Sequence, residues 1–323
     1  MFKLIFKQFK AKSSTPDLND VVNFDKPLKD DKICEHRLNT CHKEDLQRIP
    51  GLKSPSTWRC YKLRNHPGIV VIRNPFTERG LRYWISRCLR DYPRPPNIVN
   101  LNERLFDETV RSDWWKELQR CQSKEDFQRT KVAMRWTTFG YHHDWDTKHY
   151  DDRMQSPFPE DLSRLCRLFA SILGYEEFKP EAAIVNYYPV GSSLSGHVDY
   201  SEPNQSAPLF SFSFGQTAIF LIGGKSLEET PTALLLQSGD VLIMSGESRL
   251  CYHAVPRILK DHKTLNSALP KDEDDSGGDS LDMDLFEQVG NLHFWQPFSD
   301  YIADSRININ VRQVLKPGQL LLN

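Results

Sequence analysis

The stretch SLSGHVDYSE (193–202) places a histidine and a carboxylate, His197 and Asp199, two positions apart in a run of small and apolar residues. That run reads as the end of a β-strand. Residues two apart on a strand point to the same side, so a strand here presents a nitrogen and an oxygen to one point in space. A surface ion pair accounts for such a pair, and so does half of a metal site.

Around this stretch the sequence is written in short strands. From residue 180 onward come AAIVNYY, LFSFSF, TAIFLIG, ALLLQ, DVLIMSG, LCYHAV and finally RININVRQV, separated by Gly, Pro and Ser-Gly-Asp turns. Upstream the pattern differs. GIVVIRNPF (68–76) predicts a buried strand closed by Asn-Pro, after which Thr77 caps a helix with Leu81, Trp84, Ile85, Cys88 and Leu89 on one face. A second helix is expected from about Glu108, carrying Trp114 and Trp115. VAMRWTTFGYHHDWD (132–146) reads as a strand, and a helix near 160–173 stops at Gly174. Helices first and short strands afterwards predict an α+β fold: a double-stranded β-helix, or jelly roll, with helices packed on one side. Three segments follow: 1–65, an N-terminal extension wrapping the core; 66–180, the helices; and 181–323, the jelly roll. A polar, acidic insertion near 261–300 interrupts the last and is expected at the surface.

The 323 residues suffice for a large core, and no run approaches the roughly eighteen apolar residues a membrane span requires. Seven cysteines, an odd number at irregular spacings, fit a reducing compartment better than a disulfide framework. Cys34, His36, Cys41 and His42 match no familiar zinc spacing. The net charge of −1 conceals an asymmetry: residues 271–284 carry seven acids against one lysine, which leaves the rest of the chain near +5. A mildly basic body is compatible with a nucleic-acid partner and equally with simple solubility. The opening MFKLIFKQFKAKSS is basic and amphipathic; a mitochondrial presequence fits it, and so does a first helix packing Phe2, Phe6 and Phe9 onto the body.

A metal site needs a third ligand, and CYHAVPR (251–257) offers His253, 54 residues after Asp199. Two histidines and one carboxylate on one side of a metal form the facial triad of non-haem Fe(II) oxygenases, with adjacent positions left open. The last strand favours this reading. In RININVRQ, Arg306, Asn308, Asn310 and Arg312 fall at period two on one face, while Ile307, Ile309 and Val311 take the other. Fork-shaped donors suit a pocket that holds carboxylates, because arginine binds a carboxylate through two parallel hydrogen bonds. Asn186 and Tyr188 share a strand face upstream, so donors are available for both ends of a dicarboxylate.

The pattern NYY…HVD…H…RININVR resembles the core of the AlkB family of Fe(II)/2-oxoglutarate dioxygenases, and LFSFSFGQTAIFLIGG, SGDVLIMSGESRLCYHAVPR, RWTTFGYHHDWD and PFPEDL resemble its homologue 1 branch. FKLIFKQFK…PDLNDVVNF also resembles a segment of that branch, which favours a packed N-terminal helix. The resemblance implies that His197, Asp199 and His253 bind Fe(II). It implies that Arg306, helped by Tyr188, pairs with the distal carboxylate of 2-oxoglutarate, and that Asn186, Asn308 and Arg312 contact or shape its metal-proximal end. Asn310 stands where the family has a small hydroxyl residue. The implied activity is O2-dependent oxidation or demethylation of N-methylated bases in nucleic acid, such as N6-methyladenine in DNA or methylated adenosine or cytidine in tRNA. It releases formaldehyde, succinate and CO2.

A base must leave its stack to be oxidised, so the partner is an unpaired or flipped methylated base in DNA or RNA. The resemblance makes 66–180 the nucleotide-recognition region and points to Trp115, Tyr141, His142 and His143 as base contacts; Lys124, Arg129, Lys131 and Arg135 are candidates for a phosphate track. Two other readings stand beside this one: an oxygenase acting on protein side chains such as those of histones, and a nucleic-acid binding or lyase protein with a vestigial metal site. The expected location is intracellular, with nucleus, mitochondrion and cytoplasm all open. The chain is taken as a monomer without membrane contact.

Overall fold

The short strands assemble into two sheets with a shared core. The structure, a computed structural model, describes residues 1–13, 15–25, 32–38, 49, 51–260 and 282–322. In chain order the strands are β1 (Ile33–Glu35), β2 (Arg59–Leu63), β3 (Ile69–Arg73), β4 (Ile98–Val99), β5 (Trp136–Gly140), β6 (Ala182–Pro189) and β7 (Leu194–His197). They continue with β8 (Leu209–Gly215), β9 (Thr217–Ile222), β10 (Thr232–Leu236), β11 (Val241–Met244), β12 (His253–Leu259) and β13 (Ser305–Arg312). The larger sheet has the order β1-β2-β3-β11-β8-β13-β6-β5-β4 and the smaller β10-β9-β12-β7. Each segment expected from the sequence contributes strands to the larger sheet.

Alternation along the strands sets what faces what. Phe210, Phe212 and Phe214 of β8 and Ile307, Ile309 and Val311 of β13 join a cluster with the helices. Their neighbours Ser211, Ser213, Arg306, Asn308 and Arg312 therefore face the smaller sheet. Between the sheets, Tyr188, Leu209, Leu242 and Met244 pack against Phe220, Ile222, Leu234 and Val255. This is the jelly roll, with its polar row at one place in an otherwise apolar interior.

Over the outer face of the larger sheet lie the helices Glu78–Ser86, Trp114–Arg120 and Glu160–Ile172. Thr77 caps the first: its Oγ1 accepts from the Gly80 N–H at 3.0 Å. Part of 132–146 differs from expectation. Val132 and Ala133 end a helix, Lys124–Ala133, and the strand is only β5, so the stretch from His142 to Asp146 is a loop. Much of the 261–300 segment lies outside the described residues, but its end is not surface. Helices Met283–Gln288 and Leu292–Ile302 bury Phe286, Trp295, Phe298 and Tyr301 in the helical layer. Acidic composition upstream masked that apolar spacing. Lys131, a candidate for the phosphate track, is also buried, with its ammonium paired to Asp304.

Helices cover both outer faces rather than one. The N-terminal helix Phe2–Lys10 lies on the smaller sheet, where Phe2 and Phe9 pack with Ile219, Leu221, Ala233 and Ala254. Phe2 sits against two glycines: a Cβ on Gly196 would come within 2.9 Å of its ring and one on Gly223 within 2.8 Å. Gly196 immediately precedes His197, so this ring backs the strand that carries it. Phe2→Ala is expected to lower stability in urea unfolding by about 3–5 kcal/mol, since removal of a buried phenyl leaves a cavity. No described helix is long and apolar enough to cross a membrane.

Candidate metal and carboxylate site

Register brings the two histidines together. In the antiparallel pair β12·β7, His253 stands directly opposite His197, and their ring centroids are 4.3 Å apart. Each ring is oriented by a backbone carbonyl: His197 Nδ1 lies 2.9 Å from Ser195 O and His253 Nδ1 lies 3.1 Å from Cys251 O. A carbonyl only accepts, so each Nδ1 carries the proton and each Nε2 keeps its lone pair for a metal.

Asp199 arrives differently from what the spacing suggested. β7 ends at His197, and Asp199 lies in the loop beyond, so no shared strand face aligns the two. Arg312 aligns them instead, donating from Nη2 to Asp199 Oδ2 at 2.7 Å. The carboxylate lies 3.7 Å from His197 Nε2 and 3.9 Å from His253 Nε2. Ligand atoms of the three residues fall within 4.8 Å of one another, the only such group of three or more among the described residues. Cys41 and His42 lie outside those residues.

Electrostatics favour a metal-ready state. Burial opposes charge on Asp199, but Arg312 and the two imidazoles outweigh it and hold the carboxyl well below its usual range. Burial and the neighbouring His197 push His253 down to about 4, so its ring is a neutral ligand at physiological pH.

Beside this group stands the polar row of β13. Register pairs Arg306 with Tyr188, Asn308 with Asn186, Asn310 with Ile184 and Arg312 with Ala182. The Arg306 guanidinium is 1% exposed and lies 5.5 Å from the Tyr188 ring centroid. Its Nη2 donates to Ser213 Oγ at 3.0 Å, while Nε and Nη1 are buried without a hydrogen-bond partner. Burial pushes Arg306 down to about 10, outweighing the opposite pull of Tyr188 and Asp240, as expected for a buried cation with unpaired donors. Asn308 is fixed by Ser211 Oγ and Phe212 O, at 2.8 and 2.9 Å. Arg312 contrasts with Arg306: Asp199 and Glu202 more than offset its burial and raise it. An unpaired buried fork in a polar row fits the carboxylate of a small dianion.

The residues expected to contact a base divide. Trp115 is core: its ring stacks on Phe298 at 4.8 Å with Tyr301 edge-on, leaving no open face. Tyr141 and His142 are also interior, the first bonded to Asp152 Oδ1 and the second to Thr138 Oγ1. His143 is different. It is half-buried, its Nε2 lies 3.1 Å from Ser201 Oγ in the loop beyond Asp199, and its ring meets Trp145 and Tyr150 edge-on. Trp145 is 47% exposed and Tyr200 50%. Sequence reasoning passed over these two, and also Glu202, Arg249, Ser211 and Ser213. The alternating serines in LFSFSFG were the signal for the last pair.

A jelly roll that gathers two imidazoles, a carboxylate and an unpaired arginine belongs to the class of non-haem iron oxygenases that use a 2-oxo acid. The chain belongs to the 2OG-Fe(II) oxygenase superfamily, whose profile matches residues 68–312, and to its AlkB-type branch. Membership implies Fe(II), 2-oxoglutarate and O2. The chain is 38% identical over 313 residues to the nucleic acid dioxygenase ALKBH1 of Mus musculus, covering 96% of this chain and 77% of that protein. It is 40% identical over 330 residues to the tRNA demethylase abh1 of Schizosaccharomyces pombe, covering 97% and 95%. Against the DNA N(6)-methyladenine demethylase ALKBH1A of Arabidopsis thaliana the identity is 31% over 347 residues, covering 97% and 93%.

Proposed function

We propose that this chain is a demethylase of N-methylated bases in nucleic acid, with His197, Asp199 and His253 holding Fe(II) and Arg306 anchoring 2-oxoglutarate. The observation that carries the reading is the convergence of two Nε2 lone pairs and the Asp199 carboxylate within 4.8 Å, beside an arginine with unpaired donors. Arg306 and Tyr188 take the distal carboxylate of 2-oxoglutarate. Asn186, Asn308 and Arg312 shape the end nearer the metal. With its cosubstrates bound, the iron supplies the oxidation that hydroxylates an N-methyl group, with succinate and CO2 as coproducts. The resulting hydroxymethylamine loses formaldehyde and leaves the unmodified base.

The names of the three relatives support a nucleic-acid substrate without separating DNA from tRNA. His143, Trp145 and Tyr200 form the platform for the base: one ring faces the loop beyond Asp199 and two offer exposed faces near it. The segment 66–180 serves mainly recognition and 181–323 the chemistry, with Tyr200 of the second segment completing the platform.

Incubation with methyl-adenine and methyl-cytosine oligonucleotides, in parallel with methylated histone peptides, should release 2-oxoglutarate-dependent formaldehyde from the oligonucleotides alone. Release from the peptides alone would replace this reading with a protein oxygenase. Trp145→Ala should raise KM for the oligonucleotide by roughly 5- to 150-fold, the equivalent of one lost stack of about 1–3 kcal/mol, while substrate-independent succinate formation persists.

A further inference from the structure

Asp199 belongs to no strand, and the groups that fix it are two arginines from distant parts of the chain. Arg312 holds its side chain. Arg249 holds its main chain, donating from Nη1 to Asp199 O at 2.6 Å. The rest of Arg249 is also engaged: Nε donates to Ala207 O at 3.1 Å and Nη2 to Glu202 Oε2 at 2.9 Å. Glu202 accepts from the Tyr150 hydroxyl at 2.9 Å and forms an ion pair with Arg312, whose Nε lies 3.1 Å from Oε1. Arg249 and Glu202 side chains are both 2% exposed. Arg249 sits in the 3-10 turn Gly246–Leu250, four residues ahead of His253, with which β12 begins.

We infer that Arg249 is a positioning residue that sets the carboxylate ligand against the histidine pair. It joins the turn that leads into the His253 strand to the loop that carries Asp199, through one bond to the ligand's own carbonyl and one to the loop's Ala207. Glu202 couples both arginines, so side chain and backbone of Asp199 are referred to one buried anion. The three bonds leave from three separate nitrogens of a planar fork, whereas a lysine's donors all radiate from a single nitrogen that cannot sit within reach of all three acceptors. The inference rests on the metal-site reading proposed above.

A simple deletion confuses positioning with folding, because Arg249→Met alone leaves the buried Glu202 with one of its two arginines gone and Oε2 without its hydrogen bond. The test therefore uses Glu202→Gln as reference, the double variant Glu202→Gln/Arg249→Met, and Arg249→Lys. Co(II) is titrated into each full-length apoprotein, and its d–d absorption and dissociation constant are read beside a urea midpoint. The double variant should bind Co(II) about 10- to 100-fold more weakly than Glu202→Gln, with altered d–d bands, as expected for loss of a group that orients a ligand. Arg249→Lys should show the same loss despite its retained charge. Wild-type affinity and bands in Arg249→Lys, or no difference between the double variant and Glu202→Gln, would overturn the inference. Failure of wild-type protein to bind Co(II) at all would instead strike the metal-site reading itself.

Discussion

His253→Leu is expected to abolish 2-oxoglutarate-dependent succinate formation, a loss of at least about 10³-fold. Leucine fills much of the space the imidazole occupies against Phe220, whose ring centroid is 5.9 Å away, so the core is largely preserved. What is lost is one of three ligands, and with it several kcal/mol of coordination that two remaining ligands cannot replace. Because the ring is neutral at physiological pH, its removal changes no charge in the site. The result therefore isolates coordination from electrostatics. Succinate production within tenfold of wild type, with the urea midpoint unchanged, would show that His253 is no ligand.

The contrast between His253 and Asp199 shows what the sequence made legible. Strand alternation is local, so the row Arg306, Asn308, Asn310, Arg312 could be read directly, and the structure sets it on the interior face. His253 and His197 were readable as types, while their pairing depends on a register between strands far apart in the chain. Asp199 does lie beside the two histidines, but not for the reason that its spacing gave. Period two assumed a strand that ends too soon, and the contacts that place the carboxylate come from Arg249 and Arg312, 50 and 113 residues away. No local pattern contains them. Trp115 failed for the same cause, because its covering ring, Phe298, lies in a helix that follows an acidic stretch and was discounted with it. His143 and its neighbour Trp145 sit in a loop, where spacing carries no information about direction. Period reasoning thus found the residues held by sheets and missed the side chains that hold loops.

Arg306→Met should have two opposite effects, and together they bear on why the row exists. Binding of 2-oxoglutarate should weaken by at least about 100-fold, since a bidentate charge-assisted pair contributes roughly 3 kcal/mol or more and methionine offers no donor. Meanwhile the apoprotein should become more stable, by about 1–4 kcal/mol. Arg306 is a fully buried cation with two unpartnered donors, displaced downward by burial, and an apolar side chain of similar length removes that cost. The sign can be checked at a second point. At 100 times its dissociation constant 2-oxoglutarate adds about 2.7 kcal/mol to a protein that binds it. In the presence of Mn(II), thermal unfolding should therefore show wild-type protein stabilised by 2-oxoglutarate and the variant indifferent to it, although the variant melts higher without ligand. A residue present for packing would give the reverse: a less stable variant whose remaining folded fraction still responds to 2-oxoglutarate. The polar row is thus a deliberate instability in the apoprotein, placed where a five-carbon dianion can relieve it.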